Sequence, residues 1–213
     1  IYDMEKLIAF ALDGTLSRSD LFLLPAYRMA LTKMGRPVLS DEVLLTMIGG
    51  TTLDNAQIIS AGDMEDYGIF NNYVRQEIAA HMSTDARAYP GIAQSIKALR
   101  ACGCRIVLCS NAMAHYSRPL LESIGLLDLF HDIPQSRPGW DKQHLLKSIL
   151  ETCRPKAAVM VGDRHFDIEA ARAVSIPVIG CGYGLAPSEV TGADIVVSDA
   201  SELPDAVERL LGV

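Results

Sequence analysis

The sequence has no long apolar run, few aromatic residues and no concentration of positive charge. No apolar stretch approaches the roughly 20 residues that a helix needs to cross a bilayer, so we expect no membrane partner. The 26 Asp and Glu outnumber the 19 Lys and Arg, which leaves a net charge of −7 and argues against nucleic-acid binding. The five cysteines lack a metal-binding spacing, and we interpret them as reduced thiols of a cytoplasmic protein.

The overall composition is that of a folded domain. Apolar residues make up 49% of 213 residues, which is enough to bury a core and suits one medium domain or a domain with a sizeable insertion. The N-terminus does not read as a signal peptide, because it lacks a basic region followed by an apolar one. We interpret residues 1–3 as foreign to the natural chain, with Met4 as its start.

Short apolar runs alternate with helical patterns along most of the chain. Strands are predicted over residues 7–12, 105–109, 157–161, 176–179 and 194–197, and helices over 91–102, 114–124, 142–153, 167–173 and 203–211. Continuous apolar strands indicate a sheet that is covered on both faces. We therefore predict an α/β fold with a doubly wound parallel sheet, and a site at the carboxyl ends of its strands.

One interval breaks this alternation. Residues 17–85 predict only helices, over 24–34, 40–48, 52–60 and 64–82. We predict that they form a helical cap, and that residues 1–16 and 86–213 form the α/β core. An insertion after the first strand would lie over the strand ends and could exclude water from a reaction. The alternative is a packing element without functional motion.

Polar clusters follow the apolar strands. Asp13, Gly14 and Thr15 form the first, in which the glycine permits a tight turn between two polar side chains. Ser110 and Asn111 form the second, and supply a hydroxyl and free N–H groups for an anion. Taken alone, the first is usually a turn and the second an ordinary helix N-cap.

Two further clusters lie later in the chain. Lys142 begins a helix, where a cation opposes the helix dipole and needs another reason to be present. Asp163 and Asp167 are four residues apart on a turn that enters a helix, and their hard oxygens suit Mg²⁺. The alternatives are a chance surface lysine and an acidic helix cap. Arg164, between the two acids, is expected to form a structural salt bridge.

Together the four clusters resemble the haloacid dehalogenase (HAD) superfamily of hydrolases, over nearly the whole chain. The family pattern is Asp-x-Asp-Gly-Thr, a Ser or Thr after a strand, a Lys, and Gly-Asp-x-x-x-Asp. Within the superfamily the chain is most similar to the phosphoglycolate phosphatase-like group. Gly162-Asp163-Arg164 and Ser136-Arg137 also resemble bacterial 5′-nucleotidase-like members.

The nucleophile is the main departure from that pattern, because Ala11 stands where the family has the first aspartate. The resemblance implies that an aspartate there would attack phosphorus and form an aspartyl-phosphate. Asp13 would protonate the leaving oxygen and then activate water. Ser110, the Asn111 backbone and Lys142 would hold the phosphoryl oxygens.

The resemblance also implies the remaining site residues. Mg²⁺ would be held by Asp163, Asp167 and the Asp13 carbonyl, while Thr15 would belong to the catalytic set and Gly14 to the phosphate loop. Gly50 and Thr51, in the cap, are predicted to contact the substrate.

The predicted function is a Mg²⁺-dependent phosphomonoester hydrolase for a small, phosphoglycolate-like substrate, inactivated at Ala11. Alternatives are a 5′-nucleotidase, sugar-phosphate phosphatase or pyrophosphatase of the same superfamily, or a natural pseudoenzyme that binds phosphate ligands. The otherwise intact motifs favour a deliberate substitution at position 11. A receiver-type signalling domain is disfavoured by the helical insertion. The oligomeric state stays open between monomer and weak dimer.

Overall fold

A five-stranded parallel sheet forms the centre of the protein. The computed structural model describes residues 6–137 and 139–212, so residues 1–3 and Met4 lie outside it. The strands are β1 (Lys6–Phe10), β2 (Arg105–Leu108), β3 (Ala157–Gly162), β4 (Val178–Cys181) and β5 (Ile195–Val197). Their order across the sheet is β2-β1-β3-β4-β5, with every neighbouring pair parallel.

Helices occupy most of the rest of the described chain. The insertion contributes α1 (Asp20–Lys33), α2 (Asp41–Met47), α3 (Thr52–Ser60) and α4 (Met64–Asp85). The remainder contributes α5 (Ile92–Ala101), α6 (Ala114–Ser123), α7 (Lys142–Cys153), α8 (His165–Ala173) and α9 (Leu203–Leu211). Short 3₁₀ turns lie at Leu127–Leu129, Pro187–Val190 and Ala200–Glu202.

The sheet is apolar on both faces, as the continuous apolar runs predicted. Ile8 and Phe10 of β1 belong to one buried cluster, while Leu7 and Ala9 belong to a second. Successive side chains of a strand point to opposite faces, so each cluster marks one covered face. The prediction of a doubly wound parallel α/β sheet is confirmed.

Residues 17–85, all of which are described, form four helices and enter and leave the core at one place. The Arg18 N–H donates to the Arg87 carbonyl at 2.8 Å, and the Tyr89 N–H to the Leu16 carbonyl at 3.0 Å. These bonds hold the two connecting segments side by side. Among the described residues, no helix has both the length and the apolar character of a membrane span.

Two helices begin earlier than the sequence pattern indicated. Helix α1 begins at Asp20 rather than residue 24, because Phe22 and Leu23 are buried and Pro25 lies inside the helix instead of at its start. Helix α8 begins at His165 rather than residue 167, because the Asp167 carboxylate accepts the Arg164 N–H at 3.0 Å and closes the first turn.

Candidate active site

The carboxyl ends of β1, β2 and β3 open into one cavity of about 690 Å³ beneath the helical insertion. The lining includes the predicted site residues Ala11, Asp13, Ser110, Asn111, Lys142, Asp163, Gly50 and Thr51. Three other predicted residues do not line the cavity but contact residues that do: Gly14, Thr15 and Asp167. Residues from four separate sequence clusters therefore meet in one place.

Ala11 lies at the floor of this cavity, directly after β1. It is 2% exposed, and its N–H donates to the Val161 carbonyl at 2.9 Å, which continues the sheet pairing by one residue. Its methyl group packs in the same apolar cluster as Ala9 and Cys109. No nucleophilic atom is present at this position.

Asp163 is held by one side-chain and one main-chain hydrogen bond and by close approaches of the backbone. Its Oδ1 accepts the Thr15 hydroxyl at 3.0 Å, and its Oδ2 accepts the Leu185 N–H at 3.1 Å. A Cβ on Gly14 would lie 2.0 Å from Asp163 Oδ2, and a Cβ on Gly184 would lie 2.4 Å from Asp163 Cβ. Both positions therefore require glycine so that the backbone can approach this carboxylate.

Lys142 forms a buried ion pair with Asp167. The Lys142 Nζ lies 2.5 Å from Asp167 Oδ1, and the two side chains are 10% and 1% exposed. Burial opposes the charged form of Lys142, but the Asp167 carboxylate, together with Cys109 and Asp163, outweighs it, so the lysine pKa is raised. The ion pair is the reason for a cation at a helix start.

Asp163 and Asp167 together carry more negative charge than Lys142 offsets. Burial, followed by the charge of Asp167, raises the pKa of Asp163 to about 7, although hydrogen bonds and Lys142 oppose the shift. The single positive charge of Lys142 thus lies close to two buried carboxylates, those of Asp163 and Asp167. A site of this charge would be stabilised by an additional cation.

The predicted metal ligands fit Mg²⁺ by chemical type but are few. Asp163 and Asp167 offer hard carboxylate oxygens, and Asp13 a main-chain carbonyl. Across residues 6–137 and 139–212, however, no group of three or more His, Cys, Asp or Glu side chains could hold a metal ion. Ala11 removes the carboxylate that the family pattern would place beside this pair, and the ligand assignment stays a prediction.

Asp13 directs its carboxylate toward two hydroxyl donors. Its Oδ1 accepts the Tyr116 hydroxyl at 2.6 Å and also the Ser19 hydroxyl. Burial raises the pKa of Asp13, and the hydrogen bonds from Ser19 and Tyr116 act in the opposite direction. A carboxyl whose pKa is raised in this way can hold a proton and release it, which suits acid–base chemistry.

Tyr116 and Ser19 are absent from the sequence prediction. Tyr116 comes from α6 and is 103 positions away from Asp13 in the chain. Ser19 precedes α1 and is completely buried. A lone tyrosine and a lone serine carry no local pattern, so no signal in the sequence marks them.

The Ser110 segment forms a tight turn rather than a helix cap. The Ser110 hydroxyl accepts the Ala112 N–H at 3.1 Å, whereas α6 begins only at Ala114 and has no side-chain cap. The N-cap interpretation is therefore wrong for this serine. Asn111 has a buried Oδ1 without a hydrogen-bond partner in the described structure.

The loop between α2 and α3 forms part of the side of the cavity that faces the helical insertion. Thr51 caps α3, since its hydroxyl accepts the Asp54 N–H at 3.1 Å. A Cβ on Gly50 would lie 3.0 Å from Asn55 Oδ1, so a larger residue would crowd the loop. The structure places Gly50 and Thr51 at the cavity, while their contact with substrate stays a prediction.

Comparison with known proteins places the chain in a family. The model of the haloacid dehalogenase-like hydrolases matches residues 8–181, and the chain belongs to this family. It is similar to a phosphoglycolate phosphatase of Chromobacterium violaceum, with 29% identity over 96% of this chain and 97% of that protein. It is also similar to the tyrosine-protein kinase PtkA of Mycobacterium tuberculosis, with 26% identity over 99% of this chain and 74% of that protein.

The fold agrees with a solved structure of the same type. A predicted phosphatase from Clostridium acetobutylicum superimposes with a TM-score of 0.87 at 25% identity, covering 96% of this chain and 99% of that one. The sequence-based assignment to the superfamily is thus confirmed. One relative is named a phosphatase and another a kinase, so similarity alone does not define the reaction.

Proposed function

We propose that this chain carries the site of a Mg²⁺-dependent phosphomonoester hydrolase and that Ala11 leaves the site without turnover. The supporting observation is the single cavity at the strand ends, in which Asp13, Ser110 and Lys142 surround the position of residue 11. The phosphatases among the relatives are consistent with this proposal.

Each residue has a role that its surroundings support. An aspartate at position 11 would attack the phosphorus atom and form an aspartyl-phosphate, while the leaving oxygen takes a proton from Asp13. Water would then attack the phosphorus and give up a proton to Asp13, which frees residue 11. Ser110, the Asn111 N–H and Lys142 would hold the phosphoryl oxygens as negative charge moves onto them.

Mg²⁺ would be held by Asp163, Asp167 and the Asp13 carbonyl, where it would offset the repulsion between phosphate and carboxylates. Because Ala11 contributes no oxygen, the present chain should bind Mg²⁺ more weakly than an Ala11→Asp variant. Calorimetric titration of both should show tighter binding by Ala11→Asp, and Ala11→Asn serves as a neutral control of the same size. Equal Mg²⁺ affinity in all three would contradict the proposed ligand set.

The proposed substrate is a small organic phosphate such as phosphoglycolate. A nucleoside monophosphate, a sugar phosphate or pyrophosphate is the alternative within the same chemistry, and a cavity of about 690 Å³ has room for the larger ones. A cytoplasmic location, and a monomer or weak dimer without nucleic-acid or membrane partners, complete the proposal. All five cysteines are free thiols, in agreement with a reducing compartment.

Restoring the acid tests the proposal. Ala11→Asp, assayed with Mg²⁺ for phosphate release over these substrates, should hydrolyse at least one of them. The chain with Ala11 and the Ala11→Asn variant should stay near background, because neither has a nucleophile. Failure of Ala11→Asp on every substrate would favour the binding pseudoenzyme, and robust hydrolysis by the Ala11 chain would refute the assignment of the nucleophile.

A further inference from the structure

Arg164 extends from the core into the helical insertion. It follows Asp163 directly, yet its guanidinium donates to the main-chain carbonyl of Ile48 and, at 3.4 Å, to that of Thr46. Both carbonyls lie at the C-terminal end of α2, just before the loop that carries Gly50 and Thr51. The side chain is 7% exposed, so these contacts are shielded from water.

The end of α2 is a suitable place for a guanidinium. The last carbonyls of a helix have no partner within it, and the helix dipole makes this end negative. The loop approaches Arg164 closely, since a Cβ on Gly49 would lie 3.9 Å from the arginine Cγ, and Gly49 has a φ of 77°. The main-chain N–H groups of Ile48 and Gly50 already bond to the Leu45 and Met47 carbonyls, and the guanidinium adds bonds to the Thr46 and Ile48 carbonyls.

Glu189 fixes the orientation of Arg164. Its two carboxylate oxygens accept Arg164 Nε at 2.8 Å and Nη2 at 3.2 Å, a paired geometry that only a guanidinium can supply. The same carboxylate accepts the main-chain N–H of His165 at 3.1 Å. Phe166 lies beneath the guanidinium, 5.5 Å from its ring centre. These contacts leave Nη1 directed at the cap.

The main chain of Arg164 belongs to the predicted metal loop. Its N–H donates to Asp167 Oδ2 at 3.0 Å, and Asp167 pairs with Lys142. Arg164 therefore connects two parts of the protein. Its backbone bonds to the acidic loop of the core, and its side chain bonds to the helical insertion. No other described side chain of the segment from Gly162 to Asp167 bonds to the cap.

We infer that Arg164, oriented by Glu189, is the positioning residue that holds the cap loop of residues 48–52 over the phosphate site. Arg164 does not touch substrate in this role. It sets the distance between the loop of Gly50 and Thr51 and the residues that surround Ala11. Only the catalytic consequence of this inference rests on the proposed function.

Hydrogen exchange of the cap loop tests the contact without any turnover. In the chain with Ala11, Glu189→Gln and Arg164→Lys should each speed amide exchange in residues 48–52 by about tenfold, the loss expected for one charge-assisted hydrogen bond. Asp194→Asn is the matched control, because it weakens a similar two-oxygen pair with Arg172 that lies wholly in the core. It should leave this loop unchanged.

A kinetic measurement separates positioning from simple stability. In Ala11→Asp protein, adding Glu189→Gln should raise the KM for 4-nitrophenyl phosphate severalfold, whereas a loss of folded protein would lower kcat alone.

Unchanged loop exchange in both variants would overturn the inference, as would an equal rise of exchange in β1 and β3, which would indicate global unfolding. If Ala11→Asp is inactive while loop exchange responds, the proposed function fails and the positioning role stands.

Discussion

Replacing Lys142 by methionine should destabilise the protein strongly, because it leaves Asp167 without its buried partner. The two charged groups are 2.5 Å apart and nearly inaccessible to water. Removing one partner of such a pair typically costs about 3–5 kcal/mol, since the remaining charge is buried without compensation. For a chain of this length, that corresponds to a decrease in Tm of about 6–20 °C.

The loss should be smaller in acid, and its sign follows from the pKa shifts. The pKa of Lys142 is raised above its ordinary value of 10.5, so its stabilising contribution is fully present between pH 5 and 8. The pKa of Asp163 is raised to about 7, so the folded protein retains a proton that the unfolded chain has released. The free energy of unfolding therefore falls as pH rises from 5 to about 7, by up to about 1.4 kcal/mol per pH unit for each titrating carboxyl. Without Lys142, whose charge lowers the pKa of Asp163, the fall should extend to higher pH.

Urea unfolding at pH 5 and pH 8 is the appropriate assay. Lys147→Met is the matched control, because Lys147 lies on the same helix, is largely exposed and is 4.0 Å from Glu151. Its free energy of unfolding should change by no more than about 0.5 kcal/mol. A Lys142→Met effect below 1 kcal/mol that is equal at both pH values would refute the reasoning, because it would mean that Asp167 does not need the cation.

Two other substitutions test the packing and the hydrogen bonds of the site. Gly184→Ala should destabilise the protein by about 1–3 kcal/mol, because the new methyl would overlap Asp163, whereas Gly192→Ala has open space and should change stability little in thermal unfolding. Tyr116→Phe, introduced into the Ala11→Asp enzyme, should lower kcat about tenfold by removing a donor to the Asp13 carboxylate, with little change in Tm. An unchanged kcat in steady-state assays would mean that Ser19 alone positions this acid.

The sheet was predictable because its signal is local. Each strand is a short apolar run, and burial on both faces is a property of the run itself. The predicted ranges of the helices at Thr52–Ser60, Lys142–Cys153 and Leu203–Leu211 agree with the structure at both ends. The start of α1 was wrong because Pro25 resembles a first helical residue, whereas the burial of Phe22 depends on tertiary packing.

The position of a site residue was predictable where that residue lies close after a strand. It was not predictable where the fold brings together residues that are far apart in the chain. Asp163 directly follows β3 and Ser110 lies two residues after β2, so their place follows from the order of elements. The bond from Tyr116 to Asp13 and the bond from Arg164 to Ile48 span 103 and 116 positions. Such pairs depend on how α6 and the cap pack, which a single sequence does not encode in any local pattern.

The surroundings of Ala11 indicate what the site is built to hold. The backbone at Gly14 and Gly184 approaches so closely that only glycine fits, and the reason in both cases is the position of Asp163. Burying that carboxylate next to Asp167 raises its pKa, which is a cost to folding near neutral pH. A packed apolar core would avoid this cost, so the arrangement is understandable only if a ligand or cation offsets it. Under the proposed function, residue 11 would decide whether a bound phosphate is transferred or only held.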